Sequence, residues 1–92
     1  KDLIIDVRNK GEFDKGHLVK SLLFPLGDFS NNFINYKKNS EYFIHCQGGY
    51  RSMIACSLLK REGVHNLIDI QGGFAAITRD SSLKTVSELV NN

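Results

Sequence analysis

Ile44-His45-Cys46-Gln47-Gly48-Gly49-Tyr50-Arg51-Ser52-Met53 is the stretch that decides how this chain is read. The apolar run Tyr42-Phe43-Ile44 leads into a cysteine; two glycines, an arginine and a segment of helical spacing follow. That order predicts strand, tight loop, helix. Such a loop collects free backbone N–H groups from its own turn and from the first turn of the helix. With the positive end of the helix dipole they make a pocket for negative charge. Cys46 stands where the pocket begins, so its thiol is expected to ionise more easily than a free cysteine, and the thiolate is the nucleophile. Gly48 and Gly49 let the backbone curl and leave its N–H groups open. Arg51 adds a fixed positive charge and a fork of donors at the far end. A lone cysteine closing a strand is ordinarily a small buried hydrophobe. The features gathered around Cys46 turn the balance toward a reactive thiol.

The rest of the chain frames this loop. Its 92 residues suffice for one small domain with a modest core. A net charge of +2, with both signs mixed along the chain, argues for neither a nucleic-acid nor a membrane partner. No apolar stretch reaches membrane-spanning length, and no segment has the form of a signal peptide. The two cysteines, Cys46 and Cys56, are too few for a disulfide framework and fit no zinc pattern, so no metal or cofactor is expected. A reducing, cytoplasmic setting is the expectation.

Leu3-Ile4-Ile5 is a continuous run of strand formers, suited to a strand buried on both faces of a parallel sheet. Asp6 and Arg8 fall at its carboxyl end, the edge where ligands sit in open α/β sheets. The simpler reading is that they pair and brace the loops, which makes them supporting residues. Residues 9–16 read as a turn and one short helix. Ser21-Leu22-Leu23-Phe24 reads as a short strand stopped by Pro25. Phe29, Phe33, Ile34 and Tyr36 have rough helical spacing, with Asp28 or Ser30 as a cap. After the Cys46 loop a helix is predicted from about Ser52 to Glu62, with Ile54, Ala55, Leu58 and Leu59 on one face and Cys56 a packing residue beside it. Residues 66–70 carry another strand, and Gly72-Gly73 turns the chain into a short helix over Phe74 to Thr78. Leu83, Val86, Leu89 and Val90 predict a helical carboxyl-terminal tail over residues 81–92. Strands alternating with helices give an α/β class with a largely parallel sheet.

Cys46-Gln47-Gly48-Gly49-Tyr50-Arg51-Ser52 resembles the active-site loop of a rhodanese domain, a sulfurtransferase whose cysteine carries a persulfide. The resemblance continues in Asp6-Val7-Arg8, Glu12-Phe13 and Gly16-His17-Leu18, which are similar to the family's amino-terminal signature. Phe24-Pro25-Leu26 and Asp69-Ile70-Gln71-Gly72-Gly73-Phe74 extend it to about residue 78. It implies a rhodanese-like domain over residues 1–80, a central sheet with helices on both faces, and His17 as a structural, hydrogen-bonded residue. The family usually has a short strand and helix before the Leu3 strand. The expectation is therefore a sheet one edge strand short, or a chain trimmed from a larger protein. Val19-Lys20-Ser21-Leu22 departs from the proline and small residues usual there, which puts the local turn in question. The tryptophan often found in the last helix is absent, leaving Phe74 or Ile77 to fill its space. The form His-Cys-x-Gly-Gly-Tyr-Arg-Ser also looks like domains fused to metallo-β-lactamase-fold proteins, so such a fused domain is a candidate partner.

The chemistry implied is sulfur transfer. Cys46 is the catalytic residue, and Gln47, Gly48, Gly49, Tyr50, Arg51 and Ser52 form the substrate-binding loop. A small-molecule donor of the thiosulfate or persulfide type gives its outer sulfur to Cys46, and a thiol or cyanide acceptor takes it. Gln47 and Tyr50 are uncharged, so a small dianion such as thiosulfate is expected to be a poorer donor than a persulfide. Two rivals stand beside this reading. One is a phosphatase or arsenate reductase, whose loops also run from cysteine to arginine. The other is a non-catalytic or regulatory binding module that uses the fold as a docking surface. The intact Cys46 weighs against the second.

Overall fold

The computed structural model describes residues 2–87. Strand β1 (Asp2–Asp6) lies between β3 (Leu22–Leu23) and β4 (Glu41–His45), and β5 (Leu67–Asp69) pairs with the outer side of β4. All pairings in this four-stranded sheet are parallel. Ile5 sits opposite Ile44 and Asp6 opposite His45. Crossovers between parallel strands need room, and here they are helical. Helix α3 (Tyr50–Arg61) links β4 to β5; a 3-10 turn (Leu26–Asp28), α2 (Phe29–Asn32) and a second 3-10 turn (Phe33–Asn35) lie between β3 and β4.

Side chains alternate across a strand, so each sheet face builds a different layer. Ile5, Val7, Tyr42, Ile44 and Cys46 pack with Ala55, Cys56 and Leu59 of α3 and with Tyr36 in one buried cluster. Tyr36 stands edge-on to both Phe24 and Tyr42, at 5.2 and 5.0 Å between ring centres. On the opposite face, Ile4 and Phe43 line an apolar cleft with Leu18, Ile70, Leu83 and Ile77 of helix α4 (Gly73–Ile77). Helices thus cover both faces. Among the described residues, no helix is long and apolar enough to cross a membrane.

Two parts depart from the sequence reading. The first is β2 (His17–Leu18), which pairs antiparallel with β6 (Thr85–Val86) outside the main sheet. Thr85 and Val86 are therefore extended where the spacing of Leu83 and Val86 predicts helix; ladder bonds to β2 outweigh the weak propensity of a short polar stretch. The remainder of that predicted helix, residues 88–92, lies outside the described residues. The second is the 26–35 segment, broken into short helical turns instead of one helix. Asp28 is the α2 cap by position, yet its side chain makes no capping bond. It accepts instead from the Asn31 side-chain amide at 2.6 Å. The questioned turn after His17 closes with Lys20 at φ 68° and the Ser21 hydroxyl donating to the Leu18 carbonyl at 2.8 Å.

Candidate active site

Cys46 follows the last residue of β4, and α3 opens four residues later with Gly49 as its cap at φ 114°. A left-handed cap at that angle suits a residue without a side chain. The Cys46 residue is 1% exposed. The Gly49 N–H donates to its Sγ at 3.1 Å, and the Ser52 Oγ stands 3.6 Å from it. Burial pushes the thiol up. Hydrogen bonds from the Ser52 hydroxyl and from the Ser52, Gly49 and Gly48 backbone outweigh it, so the net displacement is downward. The carrier of this effect is the ring of donors around one sulfur. Cys56, on the inner side of α3, has no such ring: burial first, then the Asp69 carboxylate, push its thiol up to about 11.

Asp6 and Arg8 form one buried unit behind the loop. The Arg8 guanidinium donates to both Asp6 carboxylate oxygens, with the closest contact at 2.7 Å, and to the Gly16 carbonyl at 2.7 Å. Its third nitrogen donates to Gln47 Oε1 at 3.2 Å, and its plane lies 4.2 Å from the centre of the Phe74 ring. A buried ion pair is worth retaining when its remaining donors are satisfied, and these are. Through Gln47 the pair is tied to the loop.

His45 ends β4 and Cys46 follows it, and the imidazole stacks on Phe74 with ring centres 6.2 Å apart. His45 is fully buried; its Nδ1 lies 3.2 Å from the Cys46 carbonyl and its Nε2 lies 3.8 Å from Asp6 Oδ2. Burial holds its pKa down, favouring the neutral ring. His17 stacks on Phe13 with ring centres 3.6 Å apart, and its Nδ1 is 2.7 Å from the Phe13 carbonyl. That is the structural role the resemblance implied for His17.

Two contributors were not legible beforehand. One is the start of α4. The Phe74 and Ala75 N–H groups donate to the Cys46 and Gln47 carbonyls at 2.7 and 3.1 Å. Gly73, at φ 58°, backs directly onto the loop: a Cβ there would meet the Cys46 carbonyl oxygen at 2.5 Å. So the Gly-Gly turn and Phe74 are part of the site's frame, and Phe74 does more than fill the space of the absent tryptophan. The signal was the paired glycine itself, whose need is a close backbone approach.

The other is Glu12. Arg51 does not grip loop carbonyls with its fork. Its two terminal nitrogens donate to the two Glu12 oxygens at 2.6 and 2.9 Å. The Arg51 hydrogen bonds hold the Glu12 carboxyl down to about 2, and Glu12 in turn raises Arg51. Glu12 also closes a capping box with Asn9 at the start of helix α1 (Lys10–Lys15). The Asn9-x-x-Glu12 spacing announces that cap, but nothing in it announces a partner 39 residues away. Tyr50 and Met53, on either side of Arg51 in the chain, are uncharged and 72% and 52% exposed.

A family model described as rhodanese-like domain matches residues 1–80. Among curated proteins, the chain is 31% identical over 70 residues to the putative sulfur carrier protein YrkF of Bacillus subtilis, covering 76% of this chain and 38% of that protein. It is 27% identical over 77 residues to a sulfurtransferase of Allochromatium vinosum, covering 84% and 72%. A tRNA uridine(34) hydroxylase of Buchnera aphidicola matches at 27% over 90 residues, 91% of this chain and 29% of that protein. The chain thus spans about a third of the length of two of these relatives. Among solved structures, a rhodanese-like domain protein from Staphylococcus aureus superposes with a TM-score of 0.81 at 30% identity, covering 91% of this chain and 80% of that one. A rhodanese-related protein from Thermoplasma volcanium gives 0.84 at 24% identity, covering 92% and 83%.

Proposed function

This chain belongs to the rhodanese-like domain family, and on that premise we propose that it moves a sulfane sulfur through a persulfide on Cys46. The observation that carries the proposal is the polar setting of Sγ: the Gly49 N–H donates to it at 3.1 Å, and the Ser52 Oγ, which itself donates to the Gly49 carbonyl, stands 3.6 Å away. A terminal persulfide sulfur is an anion at the same end of the loop, and fixed N–H groups stabilise it without reorganising. The Cys46 thiolate attacks the outer sulfur of the donor. A Cys46–sulfur bond forms, the donor's sulfur–sulfur or sulfur–carrier bond breaks, and the carrier leaves with that electron pair: sulfite from thiosulfate, a thiolate from a persulfide. A thiolate or cyanide acceptor then attacks the outer sulfur, and Cys46 departs as thiolate, ready for the next cycle.

Gln47 to Ser52 bind the donor in this reading, chiefly through backbone N–H groups. Asp6 and Arg8 act behind them as positioning residues. The sulfurtransferase and sulfur-carrier names among the relatives support this reaction class. A thiol or cyanide as acceptor and a metallo-β-lactamase-fold domain as fused partner belong to the same proposal, and the His45-to-Ser52 motif supports them. The test is steady-state kinetics with donor and acceptor varied together. Parallel lines in the double-reciprocal plot, lost in Cys46→Ser, are the expected result. Intersecting lines with full activity in Cys46→Ser count against a covalent carrier.

A further inference from the structure

We propose that Glu12 sets the donor class of this site by occupying Arg51, so that sulfur is taken from organic persulfides in preference to thiosulfate. The inference rests on the sulfur-transfer reading and deepens it. Residues 47–52 hold one charged side chain, Arg51. Both ends of its fork are committed to one carboxylate at 2.6 and 2.9 Å. A bidentate pair of this kind uses the donors that would otherwise meet an anionic oxygen. The other guanidinium at the loop, Arg8, is buried and shared among Asp6, Gly16 and Gln47. Thiosulfate brings two charges and must release a sulfite dianion. At this mouth it meets a neutralised arginine and a carboxylate of its own sign. An organic persulfide releases a thiolate on a carbon carrier, which carries less charge. Exposed Tyr50 and Met53, three residues apart at the start of α3, offer that carrier apolar surface.

Glu12 acts here through Arg51 and is a positioning residue. The Arg51–Glu12 pair is partly exposed, 34% and 29% by side chain, so a small anion can reach it. Glu12→Gln keeps the helix cap, since glutamine serves at that position of a capping box. It also removes the competing charge. The measurement is kcat/KM for thiosulfate and for a persulfide of 2-mercaptoethanol, whose carrier is uncharged, each with cyanide as acceptor. The parent is expected to favour the persulfide. In Glu12→Gln the thiosulfate-to-persulfide ratio should rise roughly tenfold, the scale of one regained charge-assisted contact, with the gain seen in the thiosulfate KM. Asp14→Asn, which changes net charge equally on the same helix, should leave the ratio where it was. A purely structural Glu12 would lower both donors together and leave the ratio flat, which overturns the proposal. So does a parent that prefers thiosulfate, or an equal rise in Asp14→Asn. Absence of any Cys46 persulfide from either donor overturns the sulfur-transfer reading itself, and this inference with it.

Discussion

Cys46 and Cys56 are both buried, yet their thiols are displaced in opposite directions. Burial is common to the two; a backbone N–H aimed at the sulfur belongs to Cys46. Alkylation followed against pH should therefore give a midpoint below the ordinary 9.0 for Cys46 and one near 11 for Cys56. Cys56→Ala should keep transfer and lose about 1 kcal/mol of stability, the usual scale for a small core truncation. Earlier labelling of Cys56 would reverse the assignment of the nucleophile. At this scale the sequence was informative where a residue's role depends on its chain neighbours. Cys46, Gly49 and Ser52 lie in one turn, and their meeting around the sulfur was legible. The pairing of Glu12 was not, because it meets Arg51 across the fold, and local spacing says nothing of that meeting.

Between β4 and α3 the loop from Cys46 to Arg51 holds six residues, and α4 backs onto it through Gly73. Gly73→Ala forces a side chain into the left-handed region and against the Cys46 carbonyl. A loss of about 1–3 kcal/mol in urea unfolding is expected, with a fall in transfer rate larger than the unfolded fraction explains. An alanine variant as stable and as active as the parent would show that α4 only adjoins the loop. Loop length separates sulfur from phosphate. A ring of N–H groups widens with each residue, and a phosphate with four oxygens needs a wider ring than a single sulfur does. The native domain should show no useful hydrolysis of a fluorogenic aryl phosphate. A glycine inserted between Gly49 and Tyr50 should weaken sulfur transfer, because the donors on Sγ move apart. Efficient native phosphatase activity that disappears in Cys46→Ser would promote the phosphatase reading. Elements with continuous apolar runs, such as β1 and β4, were legible from pattern alone. The two-residue strands β2 and β6 were not, since their pairing is a tertiary event and two residues carry no period.

At the scale of the whole molecule, half-buried Glu12 and fully buried His45 shape the response to acid. Glu12, held down to about 2 by Arg51, contributes stability that is fully present above its ordinary 4.5 and is lost as pH falls through about 2. His45 is depressed by burial; unfolded, it takes up a proton from its ordinary 6.5 downward, while the folded chain resists, so stability declines below that value. Chemical unfolding across pH should show both arms, and Glu12→Gln should flatten the lower one alone. A stability profile level from pH 7 to 3 would contradict the buried neutral His45. The α/β architecture and its parallel sheet followed from alternating elements. The 85–86 pairing with β2 did not, because a weakly amphipathic tail takes whichever partner the fold presents. The central claim is that sulfur rides on Cys46. The most direct test is the intact mass of the chain after incubation with glutathione persulfide and removal of excess donor. The account predicts a gain of one sulfur atom, mapped to Cys46 by peptide mass, absent in Cys46→Ser and discharged by cyanide. An unchanged mass with every donor tried, or a sulfur mapped to Cys56, would contradict it.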